Sequence, residues 1–103
     1  MLTSKQRAFL KSLAADIDTI VMVGKGGMSD NIVRQTDDAL TARELVKGKV
    51  LETADITSRE AADILAEQTH SDVVQVIGSK FVLFRRNSDN PKIELPKARK
   101  PRK

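Results

Sequence analysis

The sequence contains no cysteine, no tryptophan and no tyrosine, and its only aromatic residues are Phe9, Phe81 and Phe84. Without cysteine, a disulfide framework, a thiolate nucleophile and a cysteine-based zinc site are excluded. With so few rings the core must be aliphatic, and a single-strand binder that stacks successive bases on an aromatic platform is disfavoured. Long apolar runs are missing as well: Ile20-Val21-Met22-Val23 falls far short of the roughly 18 residues a membrane-spanning helix needs. No charged-then-apolar leader opens the chain, so neither secretion nor membrane contact is expected, and the expected compartment is the cytoplasm. The single histidine, His70, has no second histidine or cysteine with which to complete a transition-metal site.

What is present fits one compact domain of 103 residues, 40% apolar and 31% charged. The net charge is +4, and it is unevenly spread. Positions 1–79 hold nine basic and twelve acidic residues, net −3, whereas positions 80–103 hold nine basic and two acidic, net +7. Positive charge gathered at one end of a domain commonly meets a polyanion, RNA or DNA first among them. The plainer alternative is that residues 97–103 are a solubilising tail without a specific partner.

The pattern of elements runs helix, strand, helix, strand, helix, strand, strand. Thr3 and Gln6 have capping-box spacing ahead of Phe9, Leu10, Leu13 and Ile17 at helical intervals. Thr19–Val23 is short and apolar throughout, the pattern of a strand covered on both faces. Ser29 is placed to cap a second helix ending near Thr41. In a strand over Leu45–Leu51, Val46, Gly48 and Val50 face one way and Lys47 and Lys49 the other, with Gly48 marking a bulge or a very close approach. Thr57 and Glu60 form a second capping box before Ala61, Ala62, Ile64 and Leu65. Val73–Ile77 and Phe81–Phe84 are strands joined through Gly78-Ser79, a tight hairpin with glycine first. Beyond Arg86, Asn87–Asn90 reads as a turn, Ile93 and Leu95 as a last extended piece, and 97–103 as a disordered basic tail. The expected fold is therefore α/β: an N-terminal helix, then β-α-β-α-β-β around a four-stranded mixed sheet.

Gly24-Lys25-Gly26-Gly27 joins a strand to a helix, where glycines let the backbone approach an anion and the helix start attracts it. A Walker loop with Lys25 as its lysine requires glycine at position 19 and Ser or Thr at 26, and the chain has Thr19 and Gly26. A dinucleotide fingerprint requires a third glycine where Ser29 stands. A GxxG clamp on a nucleic-acid backbone, as in KH-type modules, matches the four residues as they stand. A plain structural turn also fits them.

The run Val23-Gly24-Lys25-Gly26-Gly27-Met28-Ser29-Asp30 is followed by Glu44-Leu45-Val46-Lys47, then by Val74-Gln75-Val76-Ile77-Gly78 and Val82-Leu83-Phe84-Arg85. In that order the segments resemble the CRM-domain proteins, most of all their stand-alone, YhbY-like bacterial form, from about Leu2 to Pro96. The resemblance implies an RNA-binding domain over 1–96, similar to the carboxy-terminal domain of translation initiation factor three. It also implies association with precursors of the large ribosomal subunit, where the RNA is ribosomal; ribosomal proteins are further candidate partners, and a monomer is expected. Carried over by position, the GxxG loop falls on Gly24, Lys25, Gly26 and Gly27, the basic end of the last strand on Arg85, and Lys47 on the lysine after Glu-Leu-Val, with Lys49 continuing its face. Met28 and Arg86, beside them, complete the expected RNA-binding set. Phe84 stands where many relatives have tyrosine, and Gly48 where a β-branched residue is common.

No catalytic constellation emerges. Glu60, Asp63 and Glu67 share one helical face, the ordinary pattern of a solvated surface. Asp37 and Asp38 are adjacent and diverge, a poor acid/base pair. No nucleophile elbow or triad can be assembled, so neither an enzyme nor a cofactor is expected. Arg85 and Arg86 point to opposite faces, and one of them, with Lys47 and Lys49, is expected to form a basic strip near the glycine loop. The main rival to RNA binding is a module docking on a ribosomal or assembly protein. An enzyme acting on RNA, by cleavage or modification, is a third possibility.

Overall fold

Capping chemistry written into the sequence starts all three helices of the computed structural model, which describes residues 2–87 and Ile93. Helix α1 (Ser4–Ala14) opens on Thr3, whose hydroxyl accepts from the Gln6 amide while the Gln6 side chain accepts from the Thr3 amide. Helix α2 (Asp30–Arg43) opens on Ser29, which accepts from the Ile32 amide. Helix α3 (Ser58–Thr69) repeats the capping box with Thr57 and Glu60. Helix α2 runs past the expected stop near Thr41, since nothing there breaks it. It ends where Glu44 turns to a φ of 67° and its N–H bonds the Leu40 carbonyl.

Strands β1 (Thr19–Val23), β2 (Leu45–Val50), β3 (Asp72–Ile77) and β4 (Lys80–Phe84) form one mixed sheet in the order β1-β2-β4-β3. Strand β1 is parallel to β2, while β4 is antiparallel to both β2 and β3. Gly78, at a φ of 58°, makes the two-residue hairpin that sets β4 between β2 and β3.

Each face of the sheet has its own core. Helices α2 and α3 cover one face, where Val21, Val23, Val46, Phe81 and Leu83 meet Leu40, Ala61, Ala62 and Leu65. Helix α1 covers part of the other, where Leu45, Val74, Val82 and Phe84 meet Leu10 and Ala14. Lys47 pins the end of α1 by donating to the carbonyls of Ala14 at 3.0 Å and Ile17 at 3.4 Å. Arg7, on the same helix, donates to the carbonyls of Val73 and Val74.

Gly48 marks a close approach: a Cβ there would lie 2.2 Å from Cζ of Phe81. The register irregularities lie in other strands, between Thr19 and Val21 of β1 and between Val73 and Gln75 of β3. Strand β1 is not covered on both faces as expected. It is an edge strand, and Met22 is 52% exposed. Of the C-terminal expectations, Ile93 lies in a bend rather than an extended segment. Residues 88–90, Leu95 and the tail 97–103 lie outside the described residues. Among the described residues no helix is long and apolar enough to cross a membrane.

Candidate nucleic-acid interface

The loop Gly24–Met28 follows β1 directly and leads into α2. The Gly27 amide donates to the Gly24 carbonyl at 2.9 Å, closing a turn with Lys25 and Gly26 at its centre. Neither central residue has positive φ, whereas Gly27 stands at 65°, which matches a type I turn with glycine in its last position. A Cβ on Gly26 or Gly27 would meet nothing within 4 Å, so their absent side chains leave bare backbone facing outward. Lys25 is exposed and makes no hydrogen bond or ion pair among the described residues. Met28 is half-buried and packs on the α2–α3 core, anchoring the loop. Ser29 then starts α2, whose first-turn amides direct positive dipole toward the loop.

The strand register sets Lys49 beside this loop. Met22 of β1 is level with Lys49 of β2, Lys49 is opposite Lys80 of β4, and Lys80 is opposite Ile77 of β3. Partners in register share a face, so Met22, Lys49, Lys80 and Ile77 form one row across all four strands. The row lies on the α1 side of the sheet but beyond α1 itself, since Lys47 and Val82, one row further in, meet that helix or its end. Ile77 is 63% exposed. Neither Lys49 nor Lys80 has a carboxylate within ion-pairing distance among the described residues. The loop thus leaves the edge strand β1 at the end of the sheet where the row lies and leads into the start of α2.

The structure divides the residues expected to act together. Gly24, Lys25, Gly26, Gly27, Met28 and Lys49 share the loop end of the sheet, whereas the ammonium of Lys47 is occupied by the carbonyls that end α1. Arg85 and Arg86 follow β4 at the far end, about 16 and 20 Å from Lys80 at the rise of an extended strand. The side chain of Arg85 is 24% exposed, and its guanidinium donates to Asp37 Oδ1 at 2.6 Å and the Thr69 carbonyl at 2.8 Å. It also donates to the Asp37 carbonyl at 3.0 Å and Thr41 Oγ1 at 2.8 Å. Arg86 is exposed beside it. The continuous strip expected from Lys47, Lys49 and one arginine is therefore not assembled. Lys80 takes the place beside Lys49. Its only signal in the sequence is its position after Gly78-Ser79, and the partner on β2 depends on a pairing between distant strands.

Among the candidate acids, Glu60 accepts in its capping box, Asp63 lies 3.6 Å from Arg59, and Asp37 holds Arg85. His70 is exposed and caps α3 in the left-handed region, at a φ of 57°.

Comparison with known proteins gives one consistent match. The family model described as the CRS1 / YhbY (CRM) domain matches residues 2–85. A Bacillus subtilis protein named a probable RNA-binding protein is 43% identical over 96 residues, covering 93% of this chain and all of that one. A Haemophilus influenzae protein named an RNA-binding protein is 34% identical, covering 93% of this chain and 96% of its own. The solution structure of a hypothetical protein from Staphylococcus aureus has a TM-score of 0.77 and 48% identity, covering 93% of this chain and all of that one.

Proposed function

The chain belongs to the CRS1/YhbY (CRM) domain family, and on that premise we propose that it binds RNA by gripping the sugar–phosphate backbone with the Gly24–Met28 loop. The observation that carries this reading is a bare-backbone turn, bearing a lysine without a partner among the described residues, immediately before a capped helix start. Backbone amides and helix dipole attract a phosphate there, the missing Cβ atoms at Gly26 and Gly27 admit it closely, and Lys25 supplies mobile charge. Lys49 continues the positive track on the sheet. Relatives named as RNA-binding proteins support the same partner.

The protein acts by binding, without chemistry of its own. Contacts directed to phosphate carry little sequence information, so shape rather than base identity selects the RNA. The target we infer is ribosomal RNA within a large-subunit precursor, bound by a monomeric chain in the cytoplasm. Family membership supports this finer assignment. The domain occupies 1–96, with residues 97–103 as a basic extension that adds affinity.

The test is RNA affinity across a salt series for residues 1–96, with and without Lys25→Asp and Gly26→Asp. Aspartate at 26 meets nothing within 4 Å of its Cβ and needs no positive φ, so the fold should survive. Loss of at least tenfold in affinity with unchanged thermal midpoint is expected. Unchanged affinity would make the loop a structural turn. Co-sedimentation with ribosomal precursor particles, lost in the same variant, tests the finer assignment. Loss of RNA affinity with particle association intact would favour docking on a protein.

A further inference from the structure

The row Met22–Lys49–Lys80–Ile77 is built unlike the rest of the surface. Met22 and Ile77 are the most exposed large apolar side chains among the described residues, and they stand at the two ends of this one row. At the usual strand spacing the row spans about 14 Å. Between the apolar ends, Lys49 and Lys80 lie directly across the β2–β4 pair, and like charges in that position destabilise a sheet. No acidic partner among the described residues relieves them. The strip is continuous with the glycine loop, since Met22 precedes Gly24 by two residues.

We infer that this row is a second RNA contact that takes unpaired nucleotides, so that the RNA this protein selects is a helix running into single strand rather than uninterrupted duplex. The inference rests on the proposed RNA-binding role and names its substrate class. Two lysines without an acidic partner among the described residues call for an anionic partner. Duplex RNA could satisfy them with phosphates, but its stacked bases offer Met22 and Ile77 nothing apolar to cover. An unpaired nucleotide offers both a phosphate and an exposed base face. The polarisable thioether of Met22 and the branched chain of Ile77 can pack on that face without the aromatic rings the chain lacks. Charge complementarity and continuity with the loop favour RNA over a protein on this strip.

The experiment uses the full chain and two RNAs, a blunt duplex and the same duplex with an unpaired extension. Wild type should prefer the extended RNA by about tenfold, the effect of covering roughly two partly exposed apolar side chains. Met22→Gln with Ile77→Thr should remove that preference and leave duplex affinity unchanged; both positions are exposed, and the thermal midpoint checks the fold. Lys49→Gln with Lys80→Gln should lower the salt slope on the extended RNA by about 1.4, the loss of two single-strand phosphate contacts. Equal wild-type affinity for both RNAs, or a preference that survives the apolar substitutions, overturns the inference. Loss of particle association without any change in RNA affinity does so too, and gives the row to a protein. Lys25→Asp with Gly26→Asp separates the two claims, because it should weaken both RNAs alike. If it weakens neither while the apolar variant still abolishes the preference, the loop clamp falls and the row stands.

Discussion

Phe81 fills the space that any side chain at position 48 would need, with Cζ, Cε1 and Cε2 all under 3.0 Å from a Cβ placed there. The ring is fully enclosed by the α2–α3 core and has no room to withdraw. Gly48→Ala should therefore cost about 1–3 kcal/mol through overpacking, seen as a lower urea midpoint with an unchanged m value. Lys80 presents the opposite case, a residue whose present identity strains the free protein. Replacing it by glutamate converts the Lys49–Lys80 like-charge pair into an ion pair. Lys80→Glu should stabilise the protein by about 0.2–1 kcal/mol while weakening RNA binding. A binding assay and a thermal melt on one sample show whether the two properties move in opposite directions.

At the scale of elements, helix starts were legible because their chemistry is local. A threonine or serine and the residue three positions on satisfy the same first-turn amides, whatever the rest of the chain does. Ser29→Ala should cost about 1 kcal/mol, and because α2 begins at the proposed clamp it should also weaken RNA binding. Helix ends and the places where elements meet were not legible in the same way. Arg85 reads as a basic residue finishing a strand, yet its guanidinium ties Asp37 and Thr41 of α2 to the last carbonyl of α3. Arg85→Ala should cost about 2–3 kcal/mol by leaving these partners unpaired in a partly buried site. RNA affinity per folded molecule should stay near wild type, which an affinity measurement normalised to folded fraction can check.

For the molecule as a whole, charge is divided between a fixed patch and the chain end. Lys25, Lys49 and Lys80 are held at one end of the sheet, while five further basic residues lie at positions 97–103. The two contributions should separate in a salt titration. Removing 97–103 should reduce affinity for every RNA and flatten the salt slope, leaving intact any preference for unpaired extensions, because sequence-independent phosphate contacts set the slope. A comparison of full chain and 1–96 on the blunt and extended RNAs measures both quantities.

The order of elements, the capping residues, the hairpin turn and the glycine loop were determined by the sequence alone, because each depends on residues a few positions apart. The alternation of β2, with Lys47 and Lys49 facing away from Val46, Gly48 and Val50, was readable for the same reason. Only the tertiary structure decided which charged residues are free to act. Lys47 and Arg85 look as available as Lys49 in the sequence, but helix ends far along the chain take up their donors. Glu44 gives no sequence sign of being fully buried, yet its carboxylate accepts from the amides of Asn87 and Ile93 at 2.6 Å each. The row from Met22 to Ile77 exists only because a parallel crossover and a hairpin bring four separate segments into register. Pairing across such distances is set by which faces bury together, and no local pattern encodes it.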